Sequence, residues 1–88
     1  MKDWLYYSIK LINEDGSSVY SAPYPMPFDF AIELGETTVG ESKVFARFEI
    51  YEITEEESSN NIWLQESVES ILRKASRKAL YIDEKRKI

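Results

Sequence analysis

The chain has no histidine and no cysteine among its 88 residues. The first absence removes the commonest acid–base group near neutral pH. The second removes the thiol nucleophile and the thiolate metal ligand. Without cysteine there is no disulfide either, so packing alone must hold a small domain, as in proteins of a reducing compartment. Glycine and proline number only three each, and no glycine-rich phosphate loop, G-x-S-x-G turn or zinc spacing occurs. No apolar run approaches the roughly 18 residues that a membrane span requires. Met1-Lys2-Asp3-Trp4 places an acid early and has no small-residue cleavage site, unlike a secretory leader;. The expectation is a cytoplasmic protein with no catalytic residue, metal, cofactor or membrane partner.

What is present describes one folded domain. The aromatic share of 14% is higher than disordered chains carry;. The net charge of −5 conceals two poles. Residues 1–72 hold four basic and fourteen acidic side chains, whereas residues 73–88 hold seven basic and two acidic.

Along the chain the period changes from two to three-and-a-half. In "WLYYSIKLI" (4–12), Leu5, Tyr7, Ile9 and Leu11 alternate with Tyr6, Ser8 and Lys10, as in a strand;. Asp15-Gly16 suits a tight hairpin, with 17–22 as the returning strand. Pro23, Pro25 and Pro27 lack amide donors, so "PYPMPF" belongs at a blunted sheet edge or in a crossing loop. If it projects, Tyr24, Met26 and Phe28 offer apolar contacts. Phe28, Phe30, Ile32 and Leu34 alternate as a further strand, and "GETTVGES" reads as a loop. "KVFARFEIYEI" (43–53) is the strongest strand. Its apolar phase slips after Ile50, which implies a bulge or burial on both faces. Residues 54–61 form an acidic polar loop, in which Thr54 and Glu57 match a capping box;. Residues 62–82 read as one amphipathic helix with Leu64, Val68, Ile71, Leu72, Ala75, Ala79 and Ile82 on a single stripe;. On that reading a proline at Val68 interrupts the helix interior. Residues 83–88 form a charged tail. The order predicts an α+β domain: an antiparallel sheet of three to four strands, hairpin first, with one long C-terminal helix on one face.

Two motif-like stretches lack what their chemistry needs. "LINEDG" aligned as a calcium loop puts Leu11 and Ala22 where oxygen ligands belong;. "KVFARFEIY" shares Lys43, Phe45 and Ala46 with the aromatic strand motif of RNA recognition motif domains. Val44 replaces its glycine, and Arg47 its second stacking aromatic;. Together with the acidic body, this argues against nucleic acid as a partner.

The remaining candidates are surfaces. On a wheel of 100° per residue, Arg73, Lys74, Arg77 and Lys78 lie opposite the apolar stripe, with Trp63 and Tyr81 among them. Cations near a helix end complement its dipole, and Glu69 to Arg73 is a favourable i, i+4 pair. Neither effect needs Trp63 or Tyr81, so these six residues form a candidate partner-binding face. A second candidate is acidic: Glu33, Glu36, Glu41, Glu49, Glu55, Glu56 and Glu57, which could fill a basic groove on a target. The expected function is non-enzymatic protein binding. Immunity proteins and phage-encoded inhibitors such as anti-CRISPRs share this composition, a likeness that names no target. The alternatives are a nucleic-acid-associated protein using the basic helix end, or a self-assembling subunit, of which a homodimer is the simplest form.

Overall fold

The computed structural model describes residues 4–84. It is α+β, with an antiparallel sheet of five strands and three helices. The order along the chain is β1 (Leu5–Asn13), β2 (Ser18–Tyr20), β3 (Tyr24–Met26), α1 (Phe28–Glu41), β4 (Phe45–Ile53), α2 (Glu55–Trp63), α3 (Val68–Ala75) and β5 (Tyr81–Glu84). The sheet order is β2-β1-β4-β5, and β3 lies along the same edge of β1 as β2. No helix among the described residues is long and apolar enough to cross a membrane.

The hairpin forms as its turn chemistry dictates. Gly16 takes a φ of +96°, open to glycine without strain;. The Asp15 carboxylate accepts from the Ser17 amide at 2.9 Å and from its hydroxyl at 2.8 Å. These bonds favour the charged form and hold the Asp15 pKa below its ordinary value;. Beyond the hairpin the edge gains a residue, since Lys10 faces Tyr20 and Tyr7 faces Tyr24. Ser21 fills this irregularity. Its amide donates to the Ile9 carbonyl and its hydroxyl accepts from the Ile9 amide, while the buried Ser8 hydroxyl donates to the Ser21 carbonyl. Pro25 sits in β3 opposite Tyr6. The proline segment is therefore an edge, with Tyr24 exposed, Phe28 half-buried and Met26 in the core.

Both faces of the sheet are covered. Tyr7, Ile9, Phe48 and Ile50 point towards α1 and pack with Met26, Ala31 and Val39. Tyr6, Tyr51 and Ile53 point the other way and meet Val68, Ile71 and Leu72 of α3. The apolar phase change after Ile50 reflects this burial on both faces. A separate bulge sits nearer the start of β4. Ile12 faces Arg47 and Asn13 faces Phe45, which leaves Ala46 over and turns Phe45 towards the α1 core;.

Three expectations are overturned. The sheet has five strands rather than three to four, because segment 81–84, read in the sequence with the helix and the tail, adds β5 to its edge and the proline segment adds β3. Residues 28–41 are a helix rather than a strand and loop. What α1 buries is Ala31, Gly35 and Val39, spaced four apart, so its inward stripe is small;. Gly35 lets the helix lie against Phe48, because a Cβ there would overlap the Phe48 ring. The alternating Phe30 and Leu34 are exposed. The single helix over 62–82 is also absent. The 54–61 loop belongs to α2, the helical period holds over the eight residues of α3, and Tyr81, Ile82 and Asp83 lie in the edge strand β5. Backbone conformation breaks the stripe: Gln65 and Ser76 take φ of 57° and 53°, in the left-handed region that ends helices;.

Candidate functional site

The corner between α2 and α3 is built by short-range hydrogen bonds. At the start of α2, the Thr54 hydroxyl accepts from the Glu57 amide at 3.1 Å, and the Glu57 carboxylate accepts from the Thr54 amide at 3.0 Å. This is the capping box expected from the sequence;. At the far end the Asn60 carbonyl accepts from the Leu64 and Glu66 amides, and the Asn61 side-chain amide donates to the Glu66 carbonyl at 2.7 Å. Ser67 then caps α3, its hydroxyl accepting from the Ser70 amide.

Ile62, Trp63 and Leu64 sit on this corner with 59%, 79% and 70% of their surfaces exposed. Three consecutive residues span about 200° of a helix, so one buried face cannot take all three. The only buried residue of α2 is Ser58. The corner thus presents a tryptophan and two aliphatic side chains on a backbone whose turn is hydrogen-bonded.

The basic residues of 73–78 serve mainly inside the chain. Arg73 pairs with Glu69 at 3.2 Å, the i, i+4 pair expected from the sequence, and Lys74 pairs with Glu66. Arg77 makes a two-pronged pair with Glu57, at 2.6 and 3.1 Å, and donates to the Glu52 carbonyl at 2.8 Å. The Arg77 hydrogen bond holds the Glu57 pKa below its ordinary value, and the same bond raises that of Arg77. Lys78 is exposed.

Tyr81 does not join Trp63. It lies on the α1 face of the sheet, stacked on Phe48 with ring centroids 5.8 Å apart and edge-on to Phe28 at 6.3 Å. Desolvation raises its phenol pKa, with Asp83 and Glu36 adding to the shift. The six residues drawn together by the helical wheel are therefore divided, because the helix that carried the wheel is broken at Gln65 and Ser76. Ile62 and Leu64, neither placed on that face by the wheel, stand beside Trp63 instead. The available sequence signal was Ser67, a good N-cap that could have started a new helix after the Asn60-Asn61 pair.

The acidic candidates divide as well. Glu33, Glu36 and Glu41 are exposed on α1. Glu49 lies on the opposite face of the sheet and accepts from the Tyr51 hydroxyl at 2.6 Å. Burial, followed by this carboxylate, raises the Tyr51 pKa. Glu55 and Glu56 are exposed in the first turn of α2, whereas Glu57 is engaged by Arg77.

A shallow hollow opens between α2 and α3, lined in part by Glu57, Asn60, Glu66, Ile71 and Lys74. Its Glu57 and Glu66 carboxylates already hold Arg77 and Lys74. Among the described residues, no group of three or more acidic side chains is placed to hold a metal ion. Comparison with protein-family models, curated proteins and solved structures finds no match for the chain.

Proposed function

We propose that this chain is a non-enzymatic protein-binding domain, of the inhibitor or immunity type that its composition allows, and that Ile62-Trp63-Leu64 is the centre of its contact surface. One observation carries the reading: a tryptophan with 79% of its surface exposed, between two exposed aliphatic residues, on a hydrogen-bonded turn. Tryptophan is enriched at the energetic centres of interfaces, and a preformed turn limits the entropy lost on docking. Arg73 and Lys74, exposed on α3 but held by Glu69 and Glu66, supply a charged surround;.

The nucleic-acid reading has less support. Arg73, Lys74 and Arg77 are spent on acids of the same chain. The test is affinity capture from the native host with wild-type protein and with Trp63→Ala. Loss of a specific protein from the Trp63→Ala sample, with unchanged thermal stability, supports the proposal. An unchanged set of captured proteins sinks it.

A further inference from the structure

We infer that the outer face of α1 docks on a cationic protein surface, with Phe30 and Leu34 seated in an apolar groove bordered by lysine or arginine. The inner side of α1 is spent on the sheet, where Ala31, Gly35 and Val39 are buried. On the outer side Phe30 and Leu34, one turn apart, keep 49% and 39% of their surfaces exposed. On a wheel of about 100° per residue, Glu41 continues their line, and Asp29, Glu33 and Glu36 fill a sector of ~60° beside it. All four carboxylates are exposed. An apolar ridge at i, i+4 spacing along a charged row is the form in which a helix enters a groove.

The charge on α1 works against the helix itself. Residues 28–41 hold four acids and no lysine or arginine. Among the described residues none of the four is in an ion pair. Asp29 in the first turn suits the helix dipole, but it stands at i, i+4 from Glu33, a spacing at which like charges repel;. Glu33 and Glu36 repeat the conflict at i, i+3. Glu41 lies in the last turn, where the dipole favours a cation, and that turn has no basic residue;. Helix α3 is built the other way, with Glu69 in its first turn, Arg73 and Lys74 in its last, and both cations paired within the chain. Glu33, Glu36 and Glu41 therefore do nothing for the fold, and what they lack is a cation from outside. The same row repels phosphate, so nucleic acid and anionic lipid are poor occupants. Two copies joined through this face about a two-fold axis would set acid against acid. A basic protein surface meets both the charge and the exposed ridge, and the face is distinct from the α2–α3 corner.

The probe is a synthetic amphipathic helix of leucine and lysine, titrated into the isotope-labelled full chain and followed by amide chemical shifts. Shifts should move along α1, and added salt should weaken the complex. Glu36→Lys with Glu41→Lys is expected to have two opposite effects. It should raise the melting temperature by about 3–6 °C, because it relieves repulsion and completes the dipole. It should also weaken peptide binding about tenfold or more, because the complementary charge is gone. Glu55→Lys with Glu56→Lys makes the same change in net charge on α2 and should bind within about twofold of wild type. Phe30→Ala, which changes no charge, should weaken binding about fivefold or more, and it stands in for the α2 control should that variant fail to fold. A lowered melting temperature for the α1 reversal overturns the inference, because the acids then serve the fold. So does a wild type that binds no peptide, a Phe30→Ala that binds as well as wild type, or shifts centred away from α1. Shifts along α1 that appear on concentrating the wild type alone give the face to a second copy and overturn it too. Trp63→Ala should leave peptide binding unchanged, so that loss of the corner as a binding surface and loss of this one are told apart.

Discussion

Gly35 and Gly40 lie one helical turn and a residue apart in α1, and their surroundings are opposite. A methyl group at Gly35 would overlap the fully buried Phe48 ring, whereas a Cβ at Gly40 meets nothing within 4 Å. Gly35→Ala should destabilise by about 1–3 kcal/mol, the usual cost of overpacking a core. Gly40→Ala should stabilise by about 0.5–1 kcal/mol, because it reduces the freedom of the unfolded chain. Urea midpoints of the two variants must therefore move in opposite directions. The aromatic pair separates in the same way. Trp63→Ala should change stability by no more than about 0.5 kcal/mol, as surface truncations do. Tyr81→Ala should cost about 2–3 kcal/mol, somewhat under a fully buried aromatic, since Tyr81 is partly exposed at the rim of the α1 core;. Melting curves of both report whether each residue is surface or core.

Among the elements, the α2 capping box and the loop after α3 meet in one group, the Glu57 carboxylate. Because Arg77 depresses the folded pKa of Glu57, the unfolded chain takes up this proton more readily;. The stabilisation is complete above the ordinary value of 4.5 and is lost as pH falls through the depressed folded value. Glu57→Gln should flatten that part of the stability profile between pH 5 and the acid limit in chemical denaturation. Arg77→Ala should cost about 1–3 kcal/mol at neutral pH, since it strips a half-buried carboxylate and the Glu52 carbonyl of a charged donor;. These local interactions were legible because they depend on residues close in sequence: Asp15-Gly16 for the hairpin, Thr54 and Glu57 for the cap, Glu69 and Arg73 for the pair. Helix α1 was not legible. Its N-cap is Pro27, which offers no side-chain bond, its buried stripe is small, and its Phe28–Leu34 alternation imitates a strand. The breaks after α2 and after α3 were hidden because Gln65 and Ser76, not glycines, adopt the left-handed turns there. The candidate site suffered most, since a wheel drawn through a broken helix joins side chains from different layers. Val68 shows the consequence: it is the first residue of α3, where proline is tolerated by the backbone;. Val68→Pro should lose side-chain packing but leave α3 formed, measured as retained helical dichroism.

Across the whole molecule, β1 and β4 contribute side chains to both cores, so neither core has a sheet of its own. Disrupting one face should melt the other. Phe48→Ala on the α1 side should cost about 3–5 kcal/mol, and near-ultraviolet and far-ultraviolet dichroism should still fall in a single coincident transition. Separate transitions would show two independent units. The two tryptophans of the chain lie outside these cores, Trp4 with 55% and Trp63 with 79% of its surface exposed. Indole emission depends on contact with water, and here both rings are already wet in the native state. Unfolding should therefore leave the emission nearly silent, while burial of Trp63 against a partner should shift it to the blue. The exposed corner carries its own optical probe, one that is quiet through denaturation and responds when the surface is covered.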